Sequence, residues 1–182
     1  NFDVLLFVPR KVKYFEIPSF IKKIGSTSFA QCLISKIVIP NHITHIDQGA
    51  FLECKQLKIV DFQKDSQLQI IDCHSFQRSS IEKISIPSKV TELKLAAFHD
   101  CVNLRSIDIP FDSELRRINL GAIDNTLIVS IYIPSKIDYF DNDIFKECEK
   151  LQIIEFASKN IIEKIRKCVF PENESLIIMI QN

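Results

Sequence analysis

The residue types in this chain that are best suited to chemistry are its four histidines and six cysteines. Two short spacings bring such residues close together in sequence, namely His42-x-x-His45 and His99-x-Cys101. A zinc site requires four ligands that converge from a defined framework, and neither pair is accompanied by a second pair of matching spacing. The sequence therefore predicts no metal site.

Covalent catalysis is the other chemistry that these residues suggest. Cys73 and His74 are adjacent in sequence, but neighbouring side chains on a strand point to opposite sides. A phosphate-binding loop needs clustered glycines, whereas Gly25, Gly49 and Gly121 each stand alone. We therefore expect no catalytic residue and no cofactor, and an enzyme is the weakest hypothesis for this chain.

The feature that positions all of these residues is a sequence repeat. Its clearest copies read ISKIVIPNHITHIDQGAFLEC from Ile34, IEKISIPSKVTELKLAAFHDC from Ile81 and IVSIYIPSKIDYFDNDIFKEC from Ile128. Repeats start near residues 12, 34, 57, 81, 104, 128 and 151, after a partial repeat at 1–11, and a terminal strand is predicted near 176–180. A fixed period of this length indicates a solenoid, in which each unit buries its apolar face against its neighbours. Residues 1–182 are therefore expected to form a single repeat domain.

Each repeat has the same order of predicted elements. Its opening, as in Leu104 to Ile109, alternates apolar and polar residues with the period of a half-buried strand. A proline follows in most units and ends the strand, because it donates no backbone hydrogen bond. A second short strand comes next, and then apolar residues three apart, such as Phe98 and Cys101, which favour a helical turn. The predicted fold class is an α/β repeat solenoid with right-handed connections.

Two columns of residues recur in phase with the repeat and are predicted to form the core. They are Phe29, Phe51, Phe76, Phe98 and Phe145, and, three residues further on, Cys32, Cys54, Cys101 and Cys148. Coils about 4.8 Å apart place equivalent cysteines two coils apart at about 10 Å, beyond the roughly 7 Å reach of a disulfide. Cys32 and Cys54 lie on neighbouring coils, where their side chains should run parallel, so we predict unpaired core thiols.

Three further positions are left open. Cys73 and Cys168 fall at other places in the repeat, so their redox state does not follow from this argument. The sequence Asn173-Glu174-Ser175 matches a glycosylation site, which is used only if the protein is secreted.

The repeat resembles a known family. Its consensus, L-x-x-I-x-I-P-x-x-V-x-x-I-x-x-x-A-F-x-x-C, is similar to the BspA-like class of leucine-rich repeats, and the resemblance runs from Val12 to the last strand. The repeat from Leu57 departs from it at Phe62 and Ser79, and the repeat from Leu104 at Ile123 and Thr126. The resemblance implies a curved solenoid with a parallel sheet on its concave face. It also implies a place among surface proteins with adhesion roles.

The outward side of the strands is the candidate binding surface. The residues predicted to line it are Tyr14, Lys36, Ile59, Asp61, Lys83, Asp108, Tyr132, Ile153 and Glu155. One interpretation is a solvated sheet, whose acidic residues pair crosswise with lysines. The other is a partner site, because several of these residues are more apolar than contact with water requires.

Composition narrows the class of partner. Lys+Arg and Asp+Glu are equal at 23 each, which argues against nucleic acid and against attraction to anionic membranes. No apolar run reaches the roughly 18–20 residues of a membrane span. The opening, from Asn1, is unlike a signal peptide, and we expect either a fragment of a longer protein or a processed chain.

The leading functional hypothesis is a non-catalytic module that binds a host cell-surface or matrix protein, on the cell surface or secreted. The alternative is an intracellular scaffold for protein interactions, since cysteines without disulfides are typical of reducing compartments. The oligomeric state is left open.

Overall fold

A computed structural model describes residues 3–141, 143–161 and 175–181 of the chain. Cys168 and the predicted glycosylation site at Asn173 lie outside the described residues. The strands are β1 Val4–Leu5, β2 Lys23–Ile24, β3 Lys36–Ile39, β4 His45–Ile46, β5 Ile59–Phe62, β6 Ile70–Ile71, β7 Lys83–Ser85, β8 Glu92–Leu93, β9 Ser106–Asp108, β10 Arg117–Ile118, β11 Ser130–Ile133, β12 Tyr139–Phe140, β13 Ile153–Phe156 and β14 Ile177–Ile180.

These strands stack into a parallel β-solenoid with two sheet-bearing sides. The repeat openings form a four-stranded sheet in the order β3-β5-β7-β9 and a three-stranded sheet in the order β11-β13-β14. The second, two-residue strands form a seven-stranded sheet in the order β1-β2-β4-β6-β8-β10-β12. The predicted succession of strand, turn and short strand is confirmed. Right-handed coiling and the concave position of the sheet stay predictions.

Proline turns the chain between the two strands of a unit. The N–H of Ile43 donates to the Pro40 carbonyl at 3.1 Å, and that of Val90 to the Pro87 carbonyl at 3.0 Å. In each case proline occupies the first position of a four-residue β-turn, and its carbonyl accepts the hydrogen bond that closes the turn. Its ring ends the preceding strand because it lacks the N–H that the ladder needs.

The third side of each coil, here called the turn side, corrects the predicted helical turns. Within one coil, the N–H of Cys32 donates to the Phe29 carbonyl at 3.0 Å, which is a turn bond. The N–H of Phe29, however, donates to the Ala50 carbonyl of the next coil at 2.8 Å. Thr27 and Gln31 have φ values of 55° and 60°, and a right-handed helix excludes such values. The prediction of helical turns, and with it the α/β class, is wrong.

Left-handed backbone recurs twice in each of five coils of the turn side, and once among the described residues of the sixth. The first column of such residues is Thr27, Gly49, His74, Ala96 and Gly121, and the second is Gln31, Glu53, Arg78, Asp100, Asn125 and Glu147. Every second backbone N–H of this side is directed along the solenoid axis, so that it donates to a carbonyl of the next coil. Among the described residues, the one helical segment is a 3₁₀ turn at Lys159–Ile161.

A ladder of aromatic rings runs through the core behind this side. The ring of Phe51 stacks on Phe29 at 4.9 Å and on Phe76 at 5.0 Å, and Phe76 stacks on Phe98 at 5.4 Å, measured between centroids. All four rings are buried, as is Phe145 beyond Ile123. The interplanar angles are 16°, 3° and 5°, so successive coils superimpose their side chains with little rotation.

The cysteine column lies beside the ladder. Cys32, Cys54, Cys101 and Cys148 are buried and carry free thiols. The Cys54 thiol donates to the Phe29 carbonyl of the preceding coil at 3.0 Å, and that of Cys101 to the Phe76 carbonyl at 3.1 Å. Each thiol therefore bonds to the coil before it, and none is directed at another cysteine of the column.

Two departures from the repeat consensus have a structural explanation. Ser79 and Thr126 occupy the cysteine position in alternate coils, and both are buried. The Ser79 hydroxyl lies 3.4 Å from the Cys101 sulfur, and the Thr126 hydroxyl lies 3.4 Å from the Cys148 sulfur. A hydroxyl is tolerated at these buried sites because it finds a hydrogen-bond partner on the next coil.

The repeat that starts at Val12 is the exception to the strand pattern. Its opening, residues 12–17, matches the consensus in sequence but is not a strand in the structure. Phe15 nevertheless packs inward, edge-on to Phe29 with centroids 5.3 Å apart. The predicted first strand of this unit is therefore wrong, although its core side chain is placed as in the other units.

Candidate binding face

The outward side chains of the repeat-opening strands form one continuous surface, which we call the strand face. In β3 the inward Ile37 and Ile39 are buried, while Lys36 and Val38 are exposed. Parallel pairing sets Lys36 opposite Ile59 on β5, and Ile59 opposite Lys83 on β7. Because buried and exposed side chains alternate along the repeat opening, each coil contributes two outward side chains to this face.

Charged residues of this face are paired diagonally between neighbouring strands. Lys36 on β3 contacts Asp61 on β5 at 2.7 Å, and Lys83 on β7 contacts Asp108 on β9 at 2.9 Å. Partial burial acts to raise the pKa of Asp108, but hydrogen bonds from Lys83 and two serines outweigh it, so the pKa lies below its usual value. The crosswise pairing expected from the sequence is present in both places.

Apolar side chains lie between these ion pairs and are left in contact with water. Val38 is 42% exposed and Ile59 is 47% exposed. On the three-stranded sheet, Tyr132 stands opposite Glu155 and is half-buried. Burial, followed by the charge of Glu155, raises the pKa of Tyr132. The strand face therefore combines charges held in ion pairs with apolar side chains that are exposed to water.

The structure places the nine predicted binding residues in three groups. Lys36, Ile59, Asp61, Lys83 and Asp108 lie on the four-stranded sheet, and Tyr132, Ile153 and Glu155 lie on the three-stranded sheet. Tyr14 is on no strand and is 78% exposed, in the opening of the repeat that starts at Val12.

A second ordered surface on the turn side was missed by sequence reasoning. The side chains of the second left-handed column join one coil to the next, and we call Gln31, Glu53, Arg78, Asp100 and Asn125 the polar ladder. Gln31 donates to Glu53 at 2.9 Å, the Arg78 Nε donates to Asp100 at 3.0 Å, and Asn125 donates to Asp100 at 2.8 Å. Each member lies two residues after the aromatic column, which is the signal that the sequence offered.

The histidines do not form a metal site among the residues that the structure describes. His99 lies between two carboxylates instead, with its Nε2 at 3.3 Å from Asp100 and its Nδ1 at 3.3 Å from Asp124. Burial raises the pKa of Asp124. Cys101, two residues from His99, is buried and its thiol donates a hydrogen bond to a backbone carbonyl. The His99-x-Cys101 spacing therefore does not place two metal ligands side by side.

The thiols are poorly suited to nucleophilic chemistry. Burial raises the pKa of Cys54 to about 12 and that of Cys101 to about 11. Burial and a hydrogen bond with Asp72 also raise the pKa of Cys73. Because the thiolate is the reactive form, these groups are held in their unreactive state at neutral pH.

The profile of the BspA type Leucine rich repeat region matches residues 7–105 and 69–181, with six copies. The chain belongs to this repeat family. A search of the curated proteins found no match.

Two solved structures share the fold of this BspA-type chain. The pneumococcal vaccine antigen PcpA superposes with a TM-score of 0.70 at 20% sequence identity, over 85% of this chain and 40% of that chain. A leucine-rich cell surface protein from Faecalibacterium prausnitzii superposes with a TM-score of 0.54 at 21% identity, over 85% of this chain and 47% of that one. The BspA-type chain thus spans less than half the length of either protein. Within its described residues, no helix has the length and apolarity needed to cross a membrane.

Proposed function

We propose that this BspA-type chain is a non-catalytic protein-binding module of a surface protein, and that it mediates adhesion to a host or matrix protein through its strand face. The observation that carries the proposal is the combination on that face of ion pairs already formed and apolar side chains left exposed. Lys36 with Asp61 and Lys83 with Asp108 hold their charges in place, while Val38 and Ile59 contact water.

Such a surface binds at low entropic cost. Its side chains stand on strands whose backbone is fixed by parallel pairing, so that little ordering is left for the moment of association. Binding energy in protein interfaces concentrates on aromatic and large apolar residues near the centre. Ile59, Tyr132 and Ile153 are the members of the strand face that fit this description.

The surface location is supported by what the chain resembles. Both structural neighbours are described in terms of the cell surface or of antigenicity, as a vaccine antigen and as a leucine-rich cell surface protein. An intracellular scaffold is the second candidate, and one observation favours it. Cys32, Cys54, Cys73, Cys101 and Cys148 are all free thiols, which are usual in reducing compartments.

The test compares two triple variants in a binding assay. The purified chain is applied to epithelial cells and to immobilised extracellular-matrix proteins. We expect the variant Ile59→Ser, Tyr132→Ser, Ile153→Ser to bind at least about thirtyfold more weakly, since truncating even one residue of a binding hot spot costs about 2 kcal/mol or more.

The matched control removes similar side chains from other sides of the solenoid. Val102, Leu120 and Tyr139 are 52%, 43% and 44% exposed and lie outside the strand face. Their combined change to Ser should leave binding unchanged. Equal loss in both variants contradicts the strand face as the binding site. A wild-type chain that binds none of these targets contradicts the adhesion role.

A further inference from the structure

One junction between neighbouring coils lacks strand pairing on the strand side. The four-stranded sheet ends at β9, the three-stranded sheet begins at β11, and no ladder joins these two described strands. A cleft of about 230 Å³ lies between them and is lined by Ile107 on one side and Ile131 on the other. From β3 onward, every other pair of neighbouring strands described on this side is hydrogen-bonded. We call this place the β9–β11 junction.

The junction is held on the turn side, just before the two strands begin. The stretch with His99 and Asp100 runs into β9, and the stretch with Asp124 runs into β11. The N–H of Asp100 donates to the Asp124 carbonyl at 3.2 Å, and nearer to the cleft the N–H of Leu127 donates to the Leu104 carbonyl at 2.9 Å. Side chains of these stretches therefore help to decide how often the junction opens.

An imidazole between two carboxylates adds to this hold. The Nε2 of His99 lies 3.3 Å from Asp100 on its own coil, and its Nδ1 lies 3.3 Å from Asp124 on the next coil. A protonated imidazole donates from both nitrogens, whereas a neutral one has a single N–H and a lone pair at its other nitrogen. Because the neutral ring faces a carboxylate on each side, one of its two contacts sets a lone pair against a negative charge.

Asp100 does not depend on the imidazole alone. Its carboxylate accepts hydrogen bonds from the Arg78 Nε at 3.0 Å and from the Asn125 amide at 2.8 Å. Arg78 also contacts Glu53, at 3.6 Å, so that its charge is shared between two carboxylates. Asp100 therefore keeps a permanent cation and a second donor beside it when His99 becomes neutral.

Asp124 depends on His99 more strongly. Its side chain is only 14% exposed, and its Oδ1 is buried and accepts no hydrogen bond from the described residues. Burial raises the pKa of Asp124; the charge of His99 opposes this effect, that of Glu147 on the next coil reinforces it, and that of Lys146 opposes it. Loss of the imidazole proton therefore removes the charge that faces Asp124 from the preceding coil.

We propose that His99 is a proton-dependent clasp at the β9–β11 junction. The ring with both protons binds Asp100 and Asp124 together, and the neutral ring releases Asp124. The stability that this contact adds is present at about pH 5.5 and is lost by about pH 8, because an imidazole gives up its charge in this range. The backbone bonds of the junction remain in both states, so release increases local opening and does not unfold the solenoid.

The clasp would regulate the strand face, because the binding residues lie on both sides of the junction. Ile59 stands on the four-stranded sheet, whereas Tyr132 and Ile153 stand on the three-stranded sheet. A partner that contacts all three spans the β9–β11 junction, and its affinity should fall when local opening increases. This regulation rests on the proposed function, whereas the clasp itself does not.

Amide hydrogen exchange, followed by NMR, measures the local opening. Rates of the wild-type protein at about pH 5.5 and about pH 8 are expressed as protection factors, so that the intrinsic pH dependence of exchange cancels. Protection of the Asp100 and Leu127 amides should fall about fivefold or more, as expected for one charge-assisted hydrogen bond at a partly exposed site. The internal control is the Ile59 amide, which donates to the Ser35 carbonyl at the fully paired β3–β5 junction and should stay unchanged.

Two substitutions assign the effect to the clasp. His99→Gln keeps a side chain that forms hydrogen bonds but never carries the charge, and Asp124→Asn removes the carboxylate that the ring releases. In both variants the protection of the two junction amides should be the same at the two pH values. The matched control is His45→Gln, because the His45 ring lies on the short-strand side, where its Nδ1 is 2.9 Å from the Thr44 hydroxyl; this variant should keep the wild-type pH dependence.

The remaining outcomes decide against the clasp. Wild-type protection that is equal at both pH values would overturn it, and so would a pH dependence that persists in His99→Gln or in Asp124→Asn. A variant that misfolds is recognised because its Ile59 amide also loses protection, and the other variant then decides.

Adhesion at the same two pH values tests the regulation separately. Wild-type binding should be weaker at the higher pH, and binding by His99→Gln should not depend on pH. Wild-type binding that is equal at both values contradicts regulation of the strand face. A wild-type chain that binds no target refutes the proposed function and leaves the exchange result standing.

Discussion

Replacing Phe76 by alanine tests the aromatic ladder most directly. Phe76 is fully buried and stacks on Phe51 at 5.0 Å and on Phe98 at 5.4 Å. Truncating a buried phenylalanine costs about 3–5 kcal/mol, and each ring pair adds about 0.5–1.5 kcal/mol to burial alone. Since two pairs are lost, we expect a cost near the upper end of that range. This is a large part of the roughly 5–15 kcal/mol that stabilises a typical domain.

Urea denaturation followed by circular dichroism measures this cost. With a denaturant dependence of about 2 kcal/mol per molar urea, the midpoint should fall by about 2 M. The matched control is Phe111→Ala, because Phe111 is 84% exposed and surface changes usually stay within about 0.5 kcal/mol. If both variants unfold at the same urea concentration, the alignment of the repeats on the phenylalanine column is wrong.

Three further outcomes follow from the described geometry. Cys54 and Cys101 should resist a thiol reagent at pH 8 until urea is added, and mass spectrometry measures the modification. Burial raises their pKa to about 12 and about 11. Their contribution to the stability of the fold is therefore complete below about pH 9 and is lost as the pH rises towards those values. Asp100 has a lowered pKa, since hydrogen bonds from Asn125 and Arg78 outweigh burial, so its contribution is present above about pH 4 and lost in acid; Asp100→Asn should flatten the acid side of a melting-temperature profile. Gly25→Ala should destabilise the first coils by about 1–3 kcal/mol, measured by the same urea titration, because the new Cβ would lie 2.5 Å from the Leu5 carbonyl oxygen; an unchanged midpoint would contradict that contact.

The sequence predicts the core and the strands because burial repeats in phase. The phenylalanine column, of which Phe51 is one member, recurs at a fixed position in the repeat. Stacked coils can bury all of these residues only if they lie on the same side of each coil. The turn side could not be predicted in the same way. Apolar residues three apart fit a helical turn and also fit a stack of turns. The two structures differ in the sign of the backbone dihedral φ at particular residues. Gln31 and Glu53 have positive φ, yet neither is a residue type that reveals it.

The candidate site was predictable to a similar extent. Alternation along β3 and β5 identifies Lys36 and Asp61 as outward neighbours, and the structure joins them. The position of Tyr14 outside any strand was not predictable. The opening of its repeat matches the consensus, and nothing in its sequence shows that this segment fails to pair with β3. Pairing depends on the neighbouring coil, which a single repeat does not describe.

The hydrogen bonds of the turn side have an electrical consequence. The peptide unit between Ser28 and Phe29 accepts from the Val8 N–H at 2.8 Å and donates to the Ala50 carbonyl at 2.8 Å, and the next unit donates onward from Phe51 to Ser75 at 2.7 Å. These units therefore point head to tail along the solenoid axis, each with a dipole of about 3.5 D. Their sum leaves partial negative charge at the first coils and partial positive charge at the last. Two such solenoids would attract each other end to end in one orientation and repel in the reverse.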